Sequence, residues 1–128
     1  MALAAARDTI AREYVTDYAV TFGVALPALR RARLDGLGWS PSALECYLHV
    51  LAEVPDTLVE RKAGRDAARA VSERARQVLA AGRSSNRERE QAAAAFDREL
   101  RGDRNRLNPG TSADLVAAAL FAALSEER

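Results

Sequence analysis

The chain has 128 residues and a net charge of +1, from 19 basic and 18 acidic side chains. That length suits one hydrophobic core, and the balance argues against binding nucleic acid or a membrane surface by bulk electrostatics. Hydrophobic residues make up 48% but aromatic ones only 5%, so the apolar content is mostly Ala, Leu and Val, as closely packed helices prefer. One cysteine, Cys46, and one histidine, His49, exclude an internal disulfide and cannot supply a structural zinc site.

The first segment, about Leu3 to Phe22, places Leu3, Ala6, Ile10, Tyr14, Val15 and Tyr18 at three- and four-residue steps, one face of a helix. Gly23 and Pro27 are expected to interrupt it, with Pro27 in the first turn of a shorter helix through Arg33. The clustered Arg30, Arg31 and Arg33 then suit a helix C-terminus. After the turn Asp35 to Gly38, Ser40 is expected to cap a helix with Pro41 at its first position, running to about Glu53. Pro55 breaks that helix, and Asp56 is placed to cap a short one ending near Gly64.

A helix from about Arg65 to Ala81 should point Ala68, Val71, Ala75, Val78 and Leu79 inward and stop at Gly82. Arg83 to Glu90 mixes both signs and reads as a solvated connector, with Ser85 and Glu88 forming a capping box for a helix from about Arg87 to Arg101. The last helix, Ser112 to about Ser125, is apolar almost all round. It is expected to be a central helix, or one covered by a partner or by another part of a larger protein. Strand signals are absent. The expected fold is all-α, a single-domain bundle of about five to seven helices over residues 1–128 with a buried apolar C-terminal helix.

No apolar run reaches the roughly 18 residues of a membrane span. The opening Met1-Ala2-Leu3-Ala4-Ala5-Ala6-Arg7 lacks the charged n-region of a secretory leader, so a cytoplasmic protein is expected.

The segment Asn108-Pro109-Gly110-Thr111-Ser112-Ala113-Asp114 has a logic for anions. Pro109-Gly110 makes a tight turn, Gly110 lets backbone approach a ligand, and a helix start offers free amides at the positive end of its dipole. Thr111 and Ser112 add hydroxyls, and Asp114 could hold a sugar hydroxyl, hold Mg²⁺ through water, or act as a base. The plain alternative is that a Pro-Gly turn with a Thr111–Asp114 capping box is how ordinary helices begin.

The run Arg106 to Phe121, with its Asn-Pro-Gly-Thr-Ser-Ala-Asp core, resembles the C-terminal signature of the triphosphoribosyl-dephospho-CoA synthase family. Pro55-Asp56-Thr57-Leu58-Val59-Glu60-Arg61-Lys62-Ala63-Gly64 resembles the family's Asp-Thr element with its two basic residues and glycine. The opening Arg7 to Tyr14 is similar to the start of the C-terminal half of archaeal-type members. The resemblance implies a helical protein that transfers the triphosphoribosyl group of ATP to the ribose 2′-hydroxyl of 3′-dephospho-CoA or a related acceptor, releasing adenine.

It further implies Asp56 and Asp114 as catalytic and Mg²⁺-holding carboxylates. Thr57, Arg61, Lys62, Asn108, Gly110, Thr111 and Ser112 would cradle the polyphosphate. Two departures stand out. Leu58 replaces an Asn of the bacterial synthases, and Arg61-Lys62-Ala63-Gly64 replaces their His-Arg-Gly-Gly. The family's N-terminal nucleotide-binding segments do not occur in this sequence, so a homo-oligomer or a partner supplying that half is expected. The alternative function is a non-enzymatic helical interaction or oligomerisation module.

Overall fold

The computed structural model describes residues 19–82, 87–102 and 107–126. Chain order is a π turn, Thr21–Ala25, followed by α1 (Leu26–Leu34), α2 (Trp39–Glu53), α3 (Thr57–Ala63), α4 (Arg65–Ala80), α5 (Arg87–Arg101) and α6 (Gly110–Glu126). Among the described residues there is no strand, and the expected all-α bundle stands.

Several helix starts differ from expectation. The chain stays helical through Gly23, and Pro27 is absorbed rather than breaking it. A proline cannot donate to the preceding turn and crowds it; one wider turn, in which the Leu26 N–H donates to the Thr21 carbonyl, accommodates it. Helix α2 begins at Trp39 with Gly38 as its N-cap, two residues before the expected cap Ser40. Pro41 still falls in the first turn, where its missing N–H costs nothing. The Arg33 guanidinium sits 4.1 Å over the Trp39 ring, holding that first residue against the end of α1. Asp56 caps α3 and Gly64, at φ +98°, separates α3 from α4, both as expected. The anticipated first helix before residue 19 and the Ser85 cap of α5 lie outside the described residues.

Helix α2 is the hub, packed by α1, α4, α6 and the π turn. One of its faces sends Leu48 and Leu51 into a core with Val59 of α3, Val71 and Val78 of α4, and Phe96 and Leu100 of α5. The other sends Cys46 and Val50 into a core with Leu26 and Leu29 of α1 and Leu115, Val116 and Ala119 of α6. Burial pushes the Cys46 thiol up to about 12, and its Sγ donates to the Ala25 carbonyl at 3.2 Å. It is the inert, buried cysteine that a chain with no catalytic partner nearby should have.

Helix α6 is buried along one face, through Ser112, Leu115, Val116, Ala119 and Ala123. On the opposite face Ala117, Ala118, Phe121 and Leu124 are exposed, Phe121 to 76%. Of the two explanations its apolar sequence allowed, burial at the centre therefore does not apply to the whole helix. No helix among the described residues is long and apolar enough to cross a membrane.

Candidate functional site

The two motifs, joined by residues 56 positions apart in sequence, meet at one carboxylate. Asp56 is only 2% exposed, and each of its oxygens accepts two hydrogen bonds. The N–H groups of Leu58 and Val59 donate to Oδ1 at 2.8 and 3.0 Å, capping α3. The Ser112 N–H and hydroxyl donate to Oδ2 at 2.7 and 2.8 Å, capping α6 from a different helix. Two helix N-termini thus direct their unpaired amides and the positive ends of their dipoles at a single buried side chain. Beside it, the Thr57 and Thr111 hydroxyls share a hydrogen bond of 2.8 Å.

In this geometry both oxygens of Asp56 are engaged by the two helix starts. With four donors already on its two oxygens, Asp56 has no exposed lone pair to offer a metal or a proton. The expected cradle of free amides is largely spoken for. Gly110 N–H donates to the Asn108 carbonyl at 2.9 Å, Ser112 N–H to Asp56, and Ala113 N–H to the Pro109 carbonyl at 3.1 Å. The Thr111–Asp114 capping box is replaced by the Asp56 cap, because Thr111 turns to Thr57.

Gly110 is small for a packing reason. A Cβ there would stand 2.5 Å from Leu58 Cδ2, so the close approach the glycine permits is to Leu58.

Asp114 is exposed. Ser112 and Asp114, two positions apart, differ by about 200° around the helix, so Asp114 points away from Asp56 instead of pairing with it. Arg61 and Lys62 are exposed on α3, the Arg61 Nε donating to the Thr57 carbonyl at 3.4 Å. Asn108 is exposed at the turn, where it lines a recess of about 190 Å³ with Pro109, Tyr47, Asp97, Leu100 and Arg101. Burial, then the Asp56 and Asp97 carboxylates, push the Tyr47 phenol well above its usual range, so it remains a neutral hydroxyl. Tyr47 and Asp97 carried no signal in the sequence: one sits in an apolar helical run, the other on a charged helix face paired with Arg101 at 2.9 Å.

Mg²⁺ was expected at Asp56 and Asp114. Among the described residues no group of three His, Cys, Asp or Glu side chains is placed to hold a metal ion. Asp56, whose oxygens accept four hydrogen bonds, and the exposed Asp114 belong to no such group.

A second buried carboxylate lies elsewhere, in a cleft of about 1010 Å³ between α1, α2 and the end of α4. Glu45 of α2 takes two bonds from one nitrogen of Arg89, at 2.5 and 2.9 Å. The other terminal nitrogen of Arg89 donates to the carbonyls of Leu79, at 2.6 Å, and Gly82. Arg89, read from sequence as part of a solvated connector, is therefore buried and clamps the end of α4 to α2 and α5. The expectation failed because mixed charge in sequence does not reveal a carboxylate on another helix.

An all-helical bundle in which an Asp-Thr element and a Pro-Gly-Thr-Ser turn are bound through one carboxylate is the class of protein in hand. The chain belongs to the CitG family, ATP:dephospho-CoA triphosphoribosyl transferase, whose profile matches residues 1–128. It is 38% identical over 96 residues to a probable 2-(5''-triphosphoribosyl)-3'-dephosphocoenzyme-A synthase of Pseudomonas paraeruginosa, covering 75% of this chain and 32% of that protein. A protein of the same name from Azotobacter vinelandii is 37% identical over 98 residues, with 75% and 32% covered. The chain spans about a third of the length of the curated relatives it matches. No solved structure matches.

Proposed function

We propose that this chain is a nucleotide-handling part of a triphosphoribosyl transferase that uses ATP and 3′-dephospho-CoA or a related acceptor. The observation that carries the reading is the junction itself. The two segments resembling the family's motifs are far apart in sequence, yet Asp56 and the Thr57–Thr111 bond hold them as one surface. Family membership over residues 1–128 supports it.

In this reading the acceptor's 2′-oxygen attacks C1′ of the ATP ribose and the C1′–N9 bond breaks. Adenine leaves with the electron pair, and the hydroxyl proton passes to a base. Asp114, exposed at the first turn of α6, is the carboxylate offered to the developing positive charge on the sugar and to that proton. Arg61 and Lys62, exposed on α3, are offered to the triphosphate, one as a planar fork and one as a point charge. Thr57 and Thr111 meet at the seam between α3 and α6, and Asn108, exposed at the turn before α6, is offered to the polyphosphate beside it. Asp56 and Ser112 are assigned to positioning, since each is buried in the other's hydrogen bonds, and Gly110 to packing. Mg²⁺ would arrive with the polyphosphate, and no ligand role for it is assigned to Asp56.

The test is thermal unfolding of the chain with ATP, with and without Mg²⁺, and with dephospho-CoA. Saturating ligand should raise the Tm by about 5 °C or more, and the Arg61→Ala/Lys62→Ala double variant should lose the ATP shift. Absence of any shift with both ligands overturns the reading. The exposed Phe121 and Leu124 favour a second reading, an interaction module that kept the fold. It expects stable self-association and no effect of either ligand.

A further inference from the structure

The transferase reading leaves the adenine of ATP without a seat, and a recess of about 190 Å³ opens beside the turn that starts α6. Three elements wall it: Tyr47 from α2, Asp97, Leu100 and Arg101 from α5, and Asn108 and Pro109 from the turn. Tyr47 packs against both cores, and Leu100 and Pro109 are buried, so the wall is built on the bundle itself. The volume lies below the roughly 300 Å³ at which pockets for whole small molecules begin. It suits one flat heterocycle and not an entire nucleotide.

The chemistry of the wall selects among the fragments of ATP. Arg101 is paired with Asp97 at 2.9 Å, so together they offer a triphosphate no net positive charge. A carboxylate has about four lone-pair sites, and the Arg101 Nε takes one of those on Asp97. The rest can accept from an amino group. The Tyr47 phenol, kept protonated by burial first and then by the Asp56 and Asp97 carboxylates, can donate to a ring nitrogen. Leu100 and Pro109 supply apolar surface for a ring face. Adenine presents the complement: an exocyclic amino donor, ring-nitrogen acceptors and two π faces.

We propose that this recess seats the adenine ring of ATP, with the Asp97 carboxylate accepting from its 6-amino group and the Tyr47 hydroxyl donating to a ring nitrogen. The inference rests on the transferase reading above and names where the leaving base is held. Asn108 lines the recess and precedes Thr111 by three residues, which puts it between base and polyphosphate. The consequence is base selectivity. Inosine triphosphate has the same sugar and phosphates but a carbonyl oxygen at position 6. That oxygen would meet the Asp97 carboxylate acceptor against acceptor.

Binding of ATP, inosine triphosphate, inorganic tripolyphosphate and free adenine to the full chain is measured by calorimetry with Mg²⁺ present. ATP should bind about tenfold or more tighter than inosine triphosphate. Asp97→Asn should remove most of that preference, because a carboxamide can turn to donate to a carbonyl or to accept from an amine. Tyr47→Phe should weaken ATP and adenine alike. Neither variant should change tripolyphosphate binding or the melting of the unliganded chain, since the Asp97–Arg101 pair is exposed and contributes little.

Equal affinity for the two nucleotides overturns the proposal, as does a preference that both variants leave intact. Either result leaves the transferase reading standing, with the base held elsewhere. Variants that weaken tripolyphosphate as much as ATP also overturn it, by making the recess a support for the phosphate site. Failure of ATP, inosine triphosphate and tripolyphosphate all to bind refutes the transferase reading instead. Free adenine then decides the recess: binding that Asp97→Asn and Tyr47→Phe weaken upholds it, and binding they do not touch, or none, overturns it too.

Discussion

Two carboxylates are buried, Glu45 on the hub helix and Asp56 at the start of the helix after it, and they are stabilised by opposite means. Among the described residues Asp56 is in no ion pair: four neutral donors, three backbone amides and one hydroxyl at two helix starts, surround it. Glu45 faces a guanidinium that is itself anchored on two backbone carbonyls. The first arrangement ties together two segments by their orphaned amides, so its worth is that of two helix caps plus the alignment of two dipoles. The second is a desolvated ion pair, whose worth as a pair is small but whose disruption leaves a charge stranded. The Arg89 Nε, buried without a hydrogen-bond partner, adds to the cost of keeping that second arrangement.

The contrast can be broken at Asp56 first. Asp56→Ala removes both caps and leaves the Ser112 amide and hydroxyl without an acceptor, which should cost about 4 kcal/mol. Measured by urea unfolding, α3 and α6 should lose their mutual protection in hydrogen exchange before the rest of the bundle. A loss below about 1 kcal/mol would show that the two helix starts do not depend on this carboxylate.

At the other pole, Arg89→Ala strands Glu45 and should cost about 3 kcal/mol, whereas the double change Glu45→Leu/Arg89→Met should recover most of that loss. Recovery is the sharper readout, since no apolar replacement of Asp56 can recover backbone amides that have no other acceptor. Failure of the double variant to recover would place the two sites in the same category.

The smallest effect concerns the seam between α3 and α6. Gly110→Ala drives a methyl against Leu58 and should cost about 1 kcal/mol, because the atom it meets is the movable end of a side chain. In a Leu58→Ala background the same change should cost nothing. Equal costs in both backgrounds would remove Leu58 as the reason for the glycine.

Much of the fold was legible because its signals are local. Pro55 followed by Asp56 marked the α3 cap, Gly64 and Gly82 marked breaks, and the steps from Ala68 to Val78 marked the inner face of α4. Each depends on φ, on a missing N–H or on helical periodicity, which neighbours along the chain suffice to set. Continuity through Gly23 was not legible, since a π turn is a response to packing around a proline and has no composition of its own.

The sequence by itself determined that the chain is helical, where most helices break, and which two segments carry the family's motifs. Only the tertiary structure decided what those motif residues touch. Asp56 reads as a cap or a catalyst equally well until Ser112 is seen filling its second oxygen, and Gly110 reads as a ligand contact until Leu58 is found against it. Arg89 passes for a solvated charge until Glu45 arrives from another helix. The physical reason is common to all three. A polar or small residue is defined by the partner that satisfies or crowds it, and here each partner comes from a segment more than forty residues away.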